Sequence, residues 1–125
     1  MARVLTGLDL IEIERVASTL ARHPERFRAR CFTAAEVAEC DRKKIPAESY
    51  AGRFAAKEAV GKLLGTGMPF GAWTLVEVLG PGRPRVLLHG RLAARARALG
   101  VGEIDVSITH SRTTSACVAV ALVDG

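Results

Sequence analysis

A segment in the middle of the chain carries the side chains best suited to chemistry. Glu58 and Lys62 are four residues apart, and Arg53 and Lys57 have the same spacing. The segment is rich in Ala, Leu, Lys and Glu, contains no proline and runs into Gly65-Thr66-Gly67, which predicts a helix ended by glycine. Because residues four apart share a helix face, one carboxylate would lie among three cations. Glu58 and Lys62 could equally form an ordinary surface ion pair, worth roughly 0.2–0.5 kcal/mol.

Asp9 is a second carboxylate with unusual surroundings. It lies near the end of an apolar run, Arg3 to Leu10, that predicts a buried strand, and a carboxylate is costly to bury unless it is paired. Two interpretations of Asp9 are open at this point: an N-cap for the helix that follows, or a functional ligand.

Asp9 and Glu58 together would suit Mg²⁺, because this ion prefers oxygen ligands and often binds one or two carboxylates along with substrate phosphates. The ammonium groups of Lys57 and Lys62 could neutralise such phosphates, and the guanidinium of Arg53 could bind another. That combination suits attack on a phosphoanhydride. Spacing alone does not show that the two carboxylates meet.

The polar segment from His110 to Thr114 separates two predicted strands, Ile104–Thr109 and Ser115–Val123. The second strand is apolar on both faces and is therefore predicted to be buried. His110 continues the apolar face of the first strand, so its ring is predicted to point inward. A histidine there is either a satisfied core residue or part of a site.

Size and composition predict one domain, residues 1–125, with a small aliphatic core, because 49% of the residues are hydrophobic and only 5% aromatic. Oligomerisation would be a source of further burial. The net charge of +5 suits an anionic partner: phosphate, nucleic acid or an acidic protein.

Three cysteines without C-x-x-C spacing predict free thiols in a reducing cytoplasm. The sequence shows neither an apolar run of about 20 residues nor the features of a signal peptide.

The remaining elements follow from local patterns. Thr33 and Glu36 form a capping box that begins a helix running to about Asp41. The other predictions are an amphipathic helix from about Ile11 to His23, a hairpin of Thr74–Leu79 and Arg85–His89, and a helix Arg91–Leu99 ended by Gly100.

Arginines are concentrated on and after the N-terminal helix. Arg15 and Arg22 lie on its polar face, and Arg26, Arg28 and Arg30 follow. Such a run is either a solvated surface or a docking face for an acidic partner, whose carboxylates would meet the guanidinium groups.

Four motifs together resemble the holo-acyl-carrier-protein synthases, the small 4′-phosphopantetheinyl transferases. In chain order they are residues 7–15 (GLDLIEIER), 32–36 (FTAAE), 53–67 (RFAAKEAVGKLLGTG) and 106–111 (VSITHS). The resemblance covers nearly the whole chain. This sequence departs from the family by an extra residue near His23 and by Ser111, which stands where threonine is frequent and keeps the hydroxyl.

The resemblance implies transfer of the 4′-phosphopantetheine arm of coenzyme A to a serine of apo acyl carrier protein, in the cytoplasm and in support of fatty acid biosynthesis. It assigns Mg²⁺ to Asp9 and Glu58, and catalysis to these residues with Lys62. It also implies a homotrimer with each active site shared between two subunits. Coenzyme A contacts are expected from Arg53, Lys57, Lys62, Gly65, Thr109, His110 and Ser111, and contacts to an acidic helix of the carrier protein from Arg15, Arg22 and Arg26.

We therefore expect an α+β fold in which an antiparallel sheet packs against a long central helix and an N-terminal helix. The acceptor of the serine proton is left open between a metal-bound water and Glu58. A small basic nucleic-acid-binding domain would explain the charge but not Asp9 or Glu58, which would repel phosphate without a metal, and the sequence offers few aromatic residues for stacking. A purely structural oligomerisation module is the other alternative.

Overall fold

The computed structural model describes residues 1–124. In chain order its strands are β1 (Ala2–Glu12), β2 (Val76–Leu79), β3 (Arg85–Leu88), β4 (Asp105–His110) and β5 (Thr114–Asp124). Its helices are α1 (Ile13–Arg22), α2 (Pro24–Cys31), α3 (Ala34–Asp41), α4 (Pro46–Leu64) and α5 (Gly90–Leu99), with a short 3-10 helix at Trp73–Leu75.

Two antiparallel sheets pack around α4. β1, β5 and β4 form a three-stranded sheet in that order, and β2 and β3 form a separate hairpin. α4 lies across the inner face of β1 and β5, and α1 packs against α4. The expected α+β class, with an antiparallel sheet against a central and an N-terminal helix, is confirmed.

α4 is the central element and is longer than predicted. It begins at Pro46, because proline at the first helical position has a suitable φ and no amide hydrogen that needs a partner. It ends where predicted: Gly65 adopts the left-handed conformation with φ 76°, and its amide donates back to Gly61 and Lys62. Eleven of its 19 residues are buried, and nine of those are Ala, Gly, Val or Leu, so α4 forms the middle of the core.

The local signals in the sequence are confirmed at several elements. Thr33 Oγ1 accepts from the Glu36 amide and the Glu36 carboxylate accepts from the Thr33 amide, so the capping box is present. The β2–β3 hairpin forms, and α5 ends at Gly100 with φ 80°. No helix is predicted for residues 24–31, but Pro24 begins α2 there.

The expectation that β1 and β5 are fully buried is wrong for a single chain. Both strands alternate, with one face against α4 and the other exposed. The exposed face is apolar: Val4 58%, Leu8 64%, Leu10 66%, Val118 37%, Val120 37% and Leu122 66%. We call these six residues the outer sheet face.

The three cysteines are free thiols, as predicted. Within residues 1–124, no helix has the length and apolarity needed to cross a bilayer.

Candidate active site

Gly7 brings β1 unusually close to α4. A Cβ placed on Gly7 would lie 1.8 Å from the Ala59 carbonyl oxygen and 2.9 Å from the Leu63 amide nitrogen, so only glycine fits between strand and helix. Two residues further along β1, Asp9 faces the same side as Gly7. The close approach therefore carries the Asp9 side chain to the surface of α4.

Asp9 meets Lys62 at this contact. Lys62 Nζ donates to the Leu8 carbonyl oxygen at 2.9 Å and to Asp9 Oδ1 at 3.3 Å. Asp9 is only 17% exposed, whereas Lys62 is 53% exposed. The N-cap interpretation of Asp9 is wrong, because the residue before α1 is Glu12, whose side chain makes no cap hydrogen bond.

Glu58 lies one helical turn before Lys62 and shares this environment. Burial and the negative charge of Asp9 raise the pKa of Glu58, and the Lys62 ammonium lowers it in part. The structure thus brings together the predicted trio Asp9, Glu58 and Lys62. Two neighbouring carboxylates that repel each other favour a bound cation.

The donor set fits a magnesium ion better than a metal held by protein side chains alone. Among residues 1–124, no three His, Cys, Asp or Glu side chains are close enough to hold a metal. Mg²⁺ commonly retains several waters and takes one or two carboxylates plus substrate phosphate oxygens. Asp9 and Glu58 would supply those two carboxylates.

The expectation that Lys57 contacts a ligand phosphate is wrong, because its side chain is fully buried. Its ammonium donates to Glu36 Oε1 at 2.8 Å, to the Trp73 carbonyl oxygen at 2.9 Å and to the Val76 carbonyl oxygen. All three ammonium hydrogens are thus used inside the protein. Burial lowers the pKa of Lys57, while the Glu36 charge opposes that shift. The helix pattern alone could not show which of the two lysines is buried.

Arg53 is largely committed to structure but reaches a cleft. Nε donates to the Val78 carbonyl oxygen at 3.1 Å, Nη1 to Ser49 Oγ at 2.8 Å, and Nη2 to Glu39 Oε1. Its side chain remains 12% exposed. Two of its five N–H groups are left for another acceptor.

His110 and Arg53 line the same cleft, which has a volume of about 430 Å³. His110 is exposed and does not point into the core as predicted, although its ring shares the inner side of β4 with Ile108. Lys43 and Lys44 also line the cleft. No role is predicted for these two lysines from the sequence, and their adjacency is the signal that could have indicated one.

Three other expected coenzyme contacts lie in β4, in the β4–β5 turn and at the end of α4. Thr109 is exposed and points to the opposite face of β4 from His110. Ser111 Oγ accepts from the Thr113 and Thr114 amides at 3.2 and 3.1 Å and so shapes the β4–β5 turn. Gly65 lies at the C-terminal end of α4, one turn beyond Lys62.

The Asp9 trio and the His110 cleft lie at opposite edges of the three-stranded sheet. Asp9 and Ile108 both pair with Cys117, from either side of β5. Two strand spacings separate them, about 10 Å. Within one chain, α4 contributes to both halves of the candidate site, with Glu58 and Lys62 in one half and Arg53 in the other.

Arg15, Arg22 and Arg26 are exposed on α1 and α2. Within the described chain, none has a carboxylate within salt-bridge distance, so their charge is available to a partner. Arg28 differs, because it pairs with Asp41 and donates to the Tyr50 hydroxyl.

A family model described as the 4′-phosphopantetheinyl transferase superfamily matches residues 6–120. This chain belongs to the 4′-phosphopantetheinyl transferase superfamily. Holo-[acyl-carrier-protein] synthase of Moorella thermoacetica is a similar member of known name, 50% identical over 116 residues that cover 91% of this chain and 90% of that protein.

Solved transferase structures share the fold. The crystal structure of holo-[acyl-carrier-protein] synthase from Neisseria meningitidis has a TM-score of 0.84 at 23% identity, covering 94% of this chain and 96% of that one. The enzyme from Bacillus anthracis, in complex with CoA (3′,5′-ADP), has a TM-score of 0.78 at 27% identity and covers 99% of this chain and 100% of that one. The similarity predicted from the four motifs is thereby confirmed.

Proposed function

We propose that this protein transfers the 4′-phosphopantetheine group of coenzyme A to a serine of an apo acyl carrier protein, leaving adenosine 3′,5′-bisphosphate. The observation that carries the proposal is the meeting of Asp9, Glu58 and Lys62, which come from distant parts of the chain. The names of the similar transferases support the same activity.

Each residue of the trio has a role that its chemistry explains. Asp9 and Glu58 would hold Mg²⁺, which supplies positive charge beside the pyrophosphate. The Lys62 ammonium, half exposed, would neutralise the phosphoryl oxygens as the bond to the leaving nucleotide breaks.

The cleft lined by Lys43, Lys44, Arg53 and His110 would bind the nucleotide of coenzyme A. Its volume of about 430 Å³ and its cationic lining suit a nucleotide that carries a 3′-phosphate. Gly65 remains a proposed contact one turn beyond Lys62, and Thr109 and Ser111 remain proposed contacts on either side of His110 in the chain.

A homotrimer would join the two halves of the site. In one chain they lie at opposite sheet edges, so the Asp9 trio of one subunit would face the cleft of the next. The outer sheet face supports this assembly, because six exposed aliphatic side chains on adjacent strands form the kind of patch that interfaces cover. Activity in the cytoplasm and a supply of holo carrier protein for fatty acid synthesis belong to the same proposal.

The test is intact-mass spectrometry after mixing the protein with coenzyme A, Mg²⁺ and an apo carrier protein. We expect the carrier to gain the mass of the phosphopantetheine arm. A carrier of unchanged mass, together with a steep salt-dependent shift on DNA or RNA, would favour the nucleic-acid-binding alternative instead.

A further inference from the structure

Lys57 and Glu36 form the one ion pair among residues 1–124 in which both side chains are completely buried. Neither residue reaches the candidate site. Lys57 nevertheless directly precedes Glu58 in α4, so whatever fixes Lys57 also affects the carboxylate next to it.

The pair joins three elements of the fold. Lys57 Nζ reaches from α4 to Glu36 on α3 and to the Trp73 and Val76 carbonyl oxygens beside β2. Both oxygens of the Glu36 carboxylate also accept hydrogen bonds: Oε1 accepts from the Thr33 amide at 2.9 Å as well as from Lys57, and Oε2 accepts from the Val78 amide at 2.9 Å.

This network fixes the rotation of α4 about its own axis. Successive residues on a helix point about 100° apart, so an α4 whose Lys57 points at Glu36 must direct Glu58 to a different side. On the far side of the helix, Gly7 contacts the Ala59 carbonyl closely. Glu58 therefore follows Lys57, which is held by contacts to α3 and β2, and precedes Ala59, which is held by the contact with β1.

We propose that Lys57 and Glu36 are positioning residues, which hold α4 in the one rotation that turns Glu58 toward Asp9. The inference rests on the proposed function in so far as Glu58 binds the metal. Buried ion pairs contribute little net stability compared with apolar residues of the same size, but a pair with all its hydrogen bonds made is satisfied in only one arrangement. Such a pair therefore fixes the rotation of α4, which an apolar pair would not do.

The double variant Glu36→Gln/Lys57→Met tests this role, because it removes both charges while keeping their volumes. We expect a folded protein by circular dichroism. Mn²⁺, used as the spectroscopic probe in electron paramagnetic resonance without substrates, should bind about tenfold more weakly. The kcat should fall about 100-fold if the carboxylate moves by about 1 Å.

Tyr50→Phe is the matched control on the same helix. Its hydroxyl donates to Asp41 Oδ1 at 2.7 Å and accepts from Arg28, so the variant loses part-buried hydrogen bonds between α4 and its neighbours without touching Lys57. We expect it to lower the Tm but to leave Mn²⁺ affinity and kcat unchanged. Where the double variant does not fold, Glu36→Gln alone makes the same comparison.

A folded double variant with unchanged Mn²⁺ affinity and unchanged kcat would overturn the positioning role. The crystal structure of that variant is a readout that does not depend on activity: displacement of Glu58 from Asp9 supports the inference, and an unmoved Glu58 refutes it. Failure of the wild-type protein to modify a carrier would instead refute the proposed function, with the crystallographic comparison still deciding the role of the pair.

Discussion

Lys62 Nζ lies 3.3 Å from Asp9 Oδ1, although 53 positions separate the two residues in the chain. The pair is partly exposed, so it adds little to stability. Its importance is positional, because it fixes an acidic strand residue beside a helix that carries a second carboxylate, Glu58.

Glu58→Gln should reduce phosphopantetheine transfer by at least about 100-fold and leave the fold intact, because the amide keeps the size of the side chain but loses the charge that binds a cation. Initial rates by intact mass and thermal unfolding measure the two effects. Glu103→Gln makes the same chemical change at an exposed residue away from the site and should be silent. Near-normal turnover by Glu58→Gln would remove the metal assignment.

Mixing two inactive variants tests whether the site is shared between subunits. Glu58→Gln and His110→Ala damage different halves, so in randomly mixed trimers about a quarter of the sites would combine two undamaged halves. Co-expression followed by an activity assay should recover that share of wild-type activity. Mixed oligomers that remain as inactive as the separate variants would show that each chain uses its own two halves.

Gly7→Ala should separate β1 from α4, because the added Cβ would lie 1.8 Å from a backbone oxygen that cannot rotate away. We expect a loss of about 1–3 kcal/mol in the free energy of unfolding, along with weaker Mn²⁺ binding. Urea denaturation and electron paramagnetic resonance measure these changes. Gly102→Ala is the control, since nothing lies within 4 Å of the Cβ it would add. Equal stability of the two variants would contradict the close approach.

Arg15→Glu and Arg22→Glu should each raise the KM for the carrier protein roughly tenfold and leave the KM for coenzyme A unchanged. Both side chains are exposed on α1, away from the nucleotide cleft. Steady-state kinetics with each substrate varied separately distinguishes the two constants. Arg97→Glu, a reversal on the exposed side of α5, controls for net charge. If both α1 variants keep the wild-type constants, the carrier docks elsewhere.

Glu77 should make stability depend on acid pH. The hydrogen bond from Thr33 Oγ1 lowers the pKa of Glu77 below its ordinary value of 4.5, burial opposes this, and His89 lowers it further. A carboxyl with a depressed folded-state pKa stabilises the protein above the unfolded pKa and loses that contribution as the pH falls through the folded value. Glu77→Gln should therefore lower the free energy of unfolding at pH 7, and the difference from wild type should shrink below pH 4.5.

Urea unfolding across this pH range measures the effect. A difference between Glu77→Gln and wild type that stays constant down to the lowest pH would show that the lost contact, and not the ionisation, is responsible.

The sequence predicts best what depends on neighbouring residues. The capping box at Thr33 and the glycine end of α4 follow from a few adjacent side chains, and both are present. Asp9 and Glu58 could be paired only through the family resemblance, because no local pattern encodes the approach of β1 to α4.

Lys57 shows where such prediction stops. Its spacing is as suitable for a phosphate contact as that of Lys62, and only the packing of α3 and β2 decides that one lysine is buried and the other exposed. The second role of Glu36 is equally unpredictable from the sequence. The capping box is a sufficient explanation for a glutamate at this position, yet its carboxylate also accepts hydrogen bonds from Lys57 and the Val78 amide.

The outer sheet face has a consequence for the newly made chain. In the proposed homotrimer these aliphatic side chains would be covered, whereas a separated chain would present them to water and could not bring its two half-sites together. Specific activity should consequently drop on dilution, and enzyme assayed at nanomolar concentration would seem poorer than the same preparation at micromolar concentration.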